Sequence, residues 1–184
     1  LETHSPGLKR RLLVECLNYI RQFNTRIAVI KYGGAAMVRE ELKDAFAEDI
    51  VLLRSAGLLP VVVHGGGPEI SSTLERLGEK SRFVDGIRVT DPSVMKVVEM
   101  VLTGSVNTDV VTRMQRFGGH AIGISGKDGS LLRARKLKPK GKDLGMVGEV
   151  AEVRTELIHM LLDGGYVPVI SPIGVDAHGT TYNI

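Results

Sequence analysis

Two stretches of this 184-residue chain place groups capable of chemistry beside bare backbone, and a third adds an arginine. Lys31-Tyr32-Gly33-Gly34 closes one apolar run. His64-Gly65-Gly66-Gly67 closes a run of three valines and leads into Pro68-Glu69-Ile70-Ser71. Arg88 comes two residues after the pair Asp85-Gly86. Consecutive glycines at the end of a strand let successive N–H groups face one point. The N-terminus of a following helix adds partial positive charge, and together they bind an anion. Each glycine costs about 0.5–1 kcal/mol relative to alanine in regular structure, and a tight turn alone needs one or two. Three in a row, with a second pair at another strand end, point to a phosphate or carboxylate. Lys31 is either a strand-end lysine that snorkels to water or a point charge that stabilises a transferring phosphoryl group. The planar guanidinium of Arg88 suits a carboxylate held through two parallel hydrogen bonds. His64 reads as a structural residue that could orient the glycine turn.

Several chemistries are set aside. The segment GISGKDG (123–129) has Asp128 where a Walker loop needs Ser or Thr, and Ile70 stands where the last glycine of a dinucleotide fingerprint belongs. His4, His120, His159 and His178 lack ligand spacing, so no metal site is expected. The single cysteine, Cys16, excludes an internal disulfide and reads as a small apolar residue. No Ser-His-Asp or Cys-His pattern is present, and Asp128 and Asp176 carry nothing that marks them as bases. The chemistry expected is positioning and charge rather than a nucleophile. Net charge is +3 and the lysine-rich KLKPKGKD (136–143) has no stacking aromatics around it, so nucleic acid is not an expected partner. No apolar run has the length of a membrane span and no signal peptide is visible. The expected compartment is the cytoplasm.

The elements that must position these groups alternate. An amphipathic helix over residues 8–23, with Leu12, Leu13, Cys16, Leu17 and Ile20 on its stripe, follows a frayed tail and packs on its own domain or on another subunit. Buried strands are predicted at 26–34 and 58–67, helices at 38–57 and 68–78, and a hairpin at 82–91 around Asp85-Gly86. Asp91-Pro92 caps a helix running to about residue 102, and a separate helix covers 106–117. A strand at 120–126, two arms of a hairpin at 130–137 and 145–153, a helix at 155–165, a buried strand at 166–174 and a final extended piece complete the chain. Near-continuous Val/Ile strands between helices imply a parallel sheet covered on both faces. With helices on either side, the fold class is α/β.

The motifs KYGGAAM (31–37), VVVHGGGPEIS (61–71), GIRVTD (86–91), GKDG (126–129), VGEV (147–150), VPVISPIG (167–174) and TYNI (181–184) occur in this order. The series resembles the N-acetylglutamate kinase branch of the amino-acid kinase family, over almost the whole chain from about Leu12. The resemblance implies a three-layer αβα sandwich with an open, mainly parallel sheet. It implies ATP-dependent phosphorylation of the side-chain carboxylate of N-acetyl-L-glutamate, with Mg²⁺ carried mainly by the nucleotide. On it, Lys31 stabilises the transferring phosphoryl group and the backbone of Gly34 and Gly66 contacts phosphoryl oxygens. Gly66 and Gly67 hold the reacting end of the substrate, Arg88 holds the α-carboxylate, and Asn183 binds substrate. The family continues after "YNI" into an Asn-Ala-Asp stretch and a nucleotide lobe. Residues 1–25 are therefore expected as tail and helix, and 26–184 as a substrate lobe without its nucleotide lobe. Another kinase of the family, or a non-catalytic amino-acid-binding lobe, are the alternatives. The N-terminal helix further implies a homo-oligomer, dimer or hexamer, with arginine as an effector and a PII-type signalling protein as a partner.

Overall fold

The computed structural model describes residues 5–139 and 142–184. In chain order the elements are α1 (Pro6–Phe23), β1 (Ile27–Tyr32), α2 (Glu40–Ser55), β2 (Leu59–His64), α3 (Gly67–Arg76), β3 (Phe83–Val84), β4 (Ile87–Arg88), α4 (Pro92–Glu99), α5 (Asn107–Arg116), β5 (Ala121–Ser125), β6 (Leu132–Lys136), β7 (Gly148–Val153), α6 (Glu156–Asp163), β8 (Val167–Ser171), β9 (Ile173–Val175) and β10 (Thr181–Asn183). Strands β1, β2, β8 and β5 form a parallel sheet in that spatial order. A second sheet, ordered β10-β9-β6-β7, and the β3-β4 hairpin stand beside it.

β2 and β8 are buried on both faces, as their apolar runs require, whereas β1, expected as a buried strand, is covered on one face only. Val62, Val167, Val169 and Ala121 face a large core built with Ile50, Leu74, Val98, Leu102 and Met114 from the helices. The alternate residues Val61 and Ile170 face a smaller core with Leu131 and with Leu162 of α6. Arg113 fastens α5 to α2, reaching Glu40 at 2.6 Å, Asp44 at 2.7 Å and Asp109 at 3.0 Å. On the α6 side β1 stays bare, with Val29 70% exposed beside Ile27 and Lys31.

Three local expectations need correction. Pro6 and Gly7 begin α1 rather than end a tail, because the Ser5 hydroxyl accepts from the Leu8 N–H and proline fits the first helical turn. The first four residues of the predicted tail, and Lys140 and Gly141 of the lysine loop, lie outside the described residues. The two helices expected between Pro92 and Phe117 are one continuous run, joined by a π-helical stretch, Met100–Val106. Thr103, Gly104 and Ser105 look like a break but are accommodated by wider winding; the Thr103 hydroxyl donates to the Glu99 carbonyl at 2.7 Å. The strand read over 166–174 is split at Pro172, so β8 belongs to the parallel sheet and β9 to the second. Gly174 on β9 is a packing glycine, lying against Ala134 and Ile184.

None of the residues of α1 is buried. Its stripe does not pack on its own domain: Leu13 is 64% and Leu17 56% exposed. Among the described residues no helix is long and apolar enough to cross a membrane.

The start of α4 is held by Asp91, whose carboxylate accepts from the N–H groups of Ser93 and Val94, both at 2.9 Å. These bonds hold its carboxyl below the usual range. Because α4 carries Val94, Met95, Val97 and Val98 into the core, Asp91→Ala should cost about 1 kcal/mol in urea unfolding. An unchanged unfolding midpoint would show that the cap is dispensable.

Candidate functional site

β1 and β2 pair in register from Ile27 opposite Leu59 to Tyr32 opposite His64. Both strands therefore end at one level, and the Gly65 N–H donates to the Tyr32 carbonyl at 2.8 Å. This sets the Gly33-Gly34 turn beside the Gly65–Gly67 turn. Gly34 opens a short 3₁₀ turn, Gly34–Met37, at φ +64°. Tyr32 anchors the turn from below. Its ring stacks on Phe46 with centroids 3.9 Å apart, its hydroxyl donates to the Ala36 carbonyl at 3.1 Å, and burial pushes its pKa up to about 12.

The three glycines of the second turn do different things. A Cβ on Gly66 would lie 2.5 Å from Leu102 Cδ2, so the π-helical stretch itself demands a glycine there. A Cβ on Gly67 would meet nothing within 4 Å. Gly67 is exposed at the first position of α3, where backbone N–H groups have no intrahelical partner. Among the described residues nothing accepts from the N–H of Gly66 or Gly67. One glycine is explained by packing and the next by open space, and the open one lies at a helix N-terminus suited to an anion.

Arg88 is 7% exposed. Its guanidinium donates to the Ser81 hydroxyl at 2.5 Å, the Ser71 hydroxyl at 2.8 Å and the Gly67 carbonyl at 2.9 Å, and lies 4.7 Å over the Phe83 ring. All these partners are neutral; among the described residues it has no carboxylate partner. Burial presses its pKa down, yet a guanidinium stays protonated. A buried cation without a counter-charge is costly, so the pocket favours an anion. The second sheet brings Asn183 to the same place. Its side-chain amide donates to the Thr90 hydroxyl at 3.3 Å, and that hydroxyl donates to the Arg88 carbonyl at 3.0 Å. Thr90 is wholly buried.

Arg88, Asn183 and the Gly67 turn are thus linked through shared bonds, and Gly34 stands at the neighbouring strand end. Lys31 is not part of that cluster. It is exposed and lies on the opposite face of β1 from Tyr32, next to Val63 on β2. Among the described residues it joins no ion pair, unlike Lys43, Lys127, Lys136 and Lys142. Asp128 accepts from the Ser125 N–H and hydroxyl, and Asp176 from the N–H groups of His178 and Thr180 and the Tyr182 hydroxyl. Both serve local turns.

Sequence reasoning missed Ser71, Ser81, Thr90 and Asn107. Ser71 follows Gly67 by four residues on α3, a helical spacing that could have been noticed. The others carried no local signal. Glu69, in the first turn of α3, keeps one carboxylate oxygen buried with no partner among the described residues.

A parallel α/β sheet with paired glycine turns at its strand ends and an anion-seeking arginine beside them defines the class. The profile of the amino acid kinase family matches residues 26–184, and the chain belongs to that family. It is 52% identical over 185 residues to an acetylglutamate kinase of Heliobacterium modesticaldum, covering 96% of this chain and 63% of the relative. It is 51% identical to acetylglutamate kinases of Acinetobacter baumannii, covering 96% of this chain and 61% of theirs. The chain thus spans less than two thirds of the length of these relatives. Among solved structures, an N-acetylglutamate synthase of Neisseria gonorrhoeae, complexed with coenzyme A and N-acetyl-glutamate, superposes with a TM-score of 0.80 at 23% identity. It covers 98% of this chain and 41% of its own. A Streptococcus mutans UA159 protein gives 0.76 at 25%, over 86% of this chain and 63% of its own.

His64 is 2% exposed, and burial holds its imidazole below the ordinary 6.5. The unfolded chain takes up a proton near pH 6.5 while the folded one resists it. The stability that depends on a neutral His64 is therefore present above about pH 6.5 and falls as pH drops below that value. The gap in unfolding free energy between wild type and His64→Asn should narrow between about pH 7.5 and pH 5. A gap independent of pH would show that His64 is not held neutral.

Proposed function

We propose that the protein phosphorylates the side-chain carboxylate of N-acetyl-L-glutamate with ATP, giving an acyl phosphate on the route to arginine or ornithine. We take this chain to be its substrate lobe. One observation carries the reading: a buried, counter-charge-free Arg88 is bonded through the Gly67 carbonyl to a turn whose amides are open. An acidic amino acid fits that spacing of functions, with its α-carboxylate on the guanidinium and its reacting carboxylate at the glycine amides. The relatives at 51–52% identity bear the name of this activity.

ATP supplies the phosphoryl group, and Mg²⁺ travels with its phosphates. The residues present fit that end of the nucleotide, since Cβ atoms built on Gly33, Gly34 and Gly67 would meet nothing within 4 Å. Gly34, Gly66 and Gly67 offer N–H groups to phosphoryl and carboxylate oxygens. Asn183 fixes the substrate beside Thr90. Lys31 offers an ammonium for the charge that builds on the transferring group. It stands with Ile27 and Val29 on the stretch of sheet that no helix covers, and we assign that stretch to a nucleotide-binding lobe carried by the longer protein. We place the reaction in the cytoplasm and assign the exposed stripe of α1, Leu13, Leu17 and Ile20, to assembly with further copies of the chain.

ATP-dependent hydroxamate formation by the natural full-length protein, tested with N-acetyl-L-glutamate, glutamate, aspartate and carbamate, checks the reading. Turnover of N-acetyl-L-glutamate alone supports it, and turnover of a different acid, or of none, overturns it. Lys31→Ala should lower turnover about 10²–10³-fold, the scale for losing one charge-stabilising donor. Arg88→Lys keeps the charge but loses the fork, and should weaken N-acetyl-L-glutamate binding about 10–100-fold by calorimetry. Unaltered affinity would remove Arg88 from the substrate site.

A further inference from the structure

The glycine turn is held by a buried polar relay that begins on a different helix. Asn107, the first residue of α5, is 3% exposed. Its side-chain nitrogen donates to the Val169 carbonyl on β8 at 2.9 Å and lies 3.1 Å from Nε2 of His64. His64 Nδ1 lies 2.7 Å from the Gly65 carbonyl oxygen. The direction of every proton follows from one end. A carbonyl can only accept, so Asn107 turns its NH₂ group toward Val169, and its second N–H points at His64. Nε2 must then be the bare, accepting nitrogen. In a neutral ring the proton sits on Nδ1 and is donated to Gly65.

That last bond sets the face shown to a ligand. A trans peptide is planar, with its C=O and the next N–H pointing opposite ways. Fixing the Gly65 carbonyl on the buried imidazole sends the Gly66 N–H away from it. Both flanking residues are glycines, for which rotation of the peptide carries little steric penalty. Without the pin, the carbonyl oxygen could turn into the place meant for an anion. The sheet also makes room for the relay: a Cβ on Gly123 of β5 would fall 1.8 Å from Asn107 Oδ1.

We propose that Asn107 and His64 are positioning residues, Asn107 fixing the imidazole tautomer and His64 pinning the Gly65 peptide so that the Gly66 N–H faces the substrate's reacting end. This rests on the reading of the glycine turn given under the proposed function. Neither residue touches the substrate, and their work is the orientation of one peptide group.

The test uses the two amide replacements of histidine in the natural full-length protein. An asparagine side chain places its nitrogen near the position of Nδ1, and a glutamine near that of Nε2. Calorimetric affinity for N-acetyl-L-glutamate and the amide chemical shifts of Gly66 and Gly67 are read beside the urea midpoint. His64→Ala and His64→Gln should each weaken binding about 10-fold and move the Gly66 amide, while His64→Asn recovers most of both. Losses that follow the unfolding midpoint, or Asn and Gln variants that behave alike, would overturn the relay. Gly123→Ala displaces Asn107 from outside the turn and should move the same Gly66 signal; an unmoved signal would also overturn it. If wild type fails to bind N-acetyl-L-glutamate, the functional reading falls, and the glycine signals across the variants still decide the relay.

Discussion

Everything at this site depends on two parallel strands ending at the same level. The β1–β2 register runs without a slip from Ile27–Leu59 to Tyr32–His64. In a parallel pair every strand points its carboxyl end the same way, so any feature placed after one strand has a neighbour after the next. Shift β2 by one residue and His64 would leave the face it shares with Tyr32 for the face it now turns its back on. The glycines would then trail at a different height, and the Gly65–Tyr32 bond that ties the two turns would be lost. Valines lie on both faces of β2, Val62 in one core and Val61 in the other, so what singles out this register is the polar end of the strand, His64 bonded to Asn107 and the Gly65 N–H bonded to Tyr32.

A second constraint comes from the π-helical stretch between α4 and α5. It brings Leu102 and Val106 against Gly66 and delivers Asn107 to His64. A strictly α-helical path through the same residues would turn these side chains onto other faces, because each residue of a helix advances by a fixed angle. The glycine at 66 is thus a receiving surface for a helix. Gly67, one residue on, has no such duty, and its bare backbone faces open space.

The sequence was legible where local chemistry and tertiary demand agree. The strands ending in glycine, the Asp85-Gly86 turn with φ +52° and +80°, and the Asp91 cap each follow from residue preferences acting over a few positions. It misled where a distant partner decides. Thr103-Gly104-Ser105 looks like a helix break and is a π-helical continuation. Pro172 sits inside an apolar run, and the run divides between two sheets at that point, as a residue without an N–H permits. Ser71 and Ser81 took their roles from Arg88, which reaches them across 17 and 7 residues. No pattern marks Asn107 as the partner of a histidine 43 residues away. Arg88 itself could be singled out in the sequence as a candidate carboxylate ligand. What makes it persuasive, burial among neutral partners, is visible only in three dimensions.

Burial of Arg88 also explains why the site needs the polar neighbours it has. Three neutral acceptors and an aromatic face lessen the cost of taking a guanidinium out of water without supplying a charge of their own. A carboxylate side chain in their place would stabilise the free protein more, and would have to be displaced by any incoming anion. Keeping the compensation partial leaves a larger share of the electrostatic gain for the ligand. The Gly67 carbonyl is the telling member of this set. It belongs to the turn that offers open amides, so on the proposed reading the group that would take one end of a dicarboxylate is bonded to the backbone that would take the other. The separation between the guanidinium and the turn is thereby fixed by the protein's own hydrogen bonds, and were a substrate to bridge them, that is the condition under which positioning contributes most to rate.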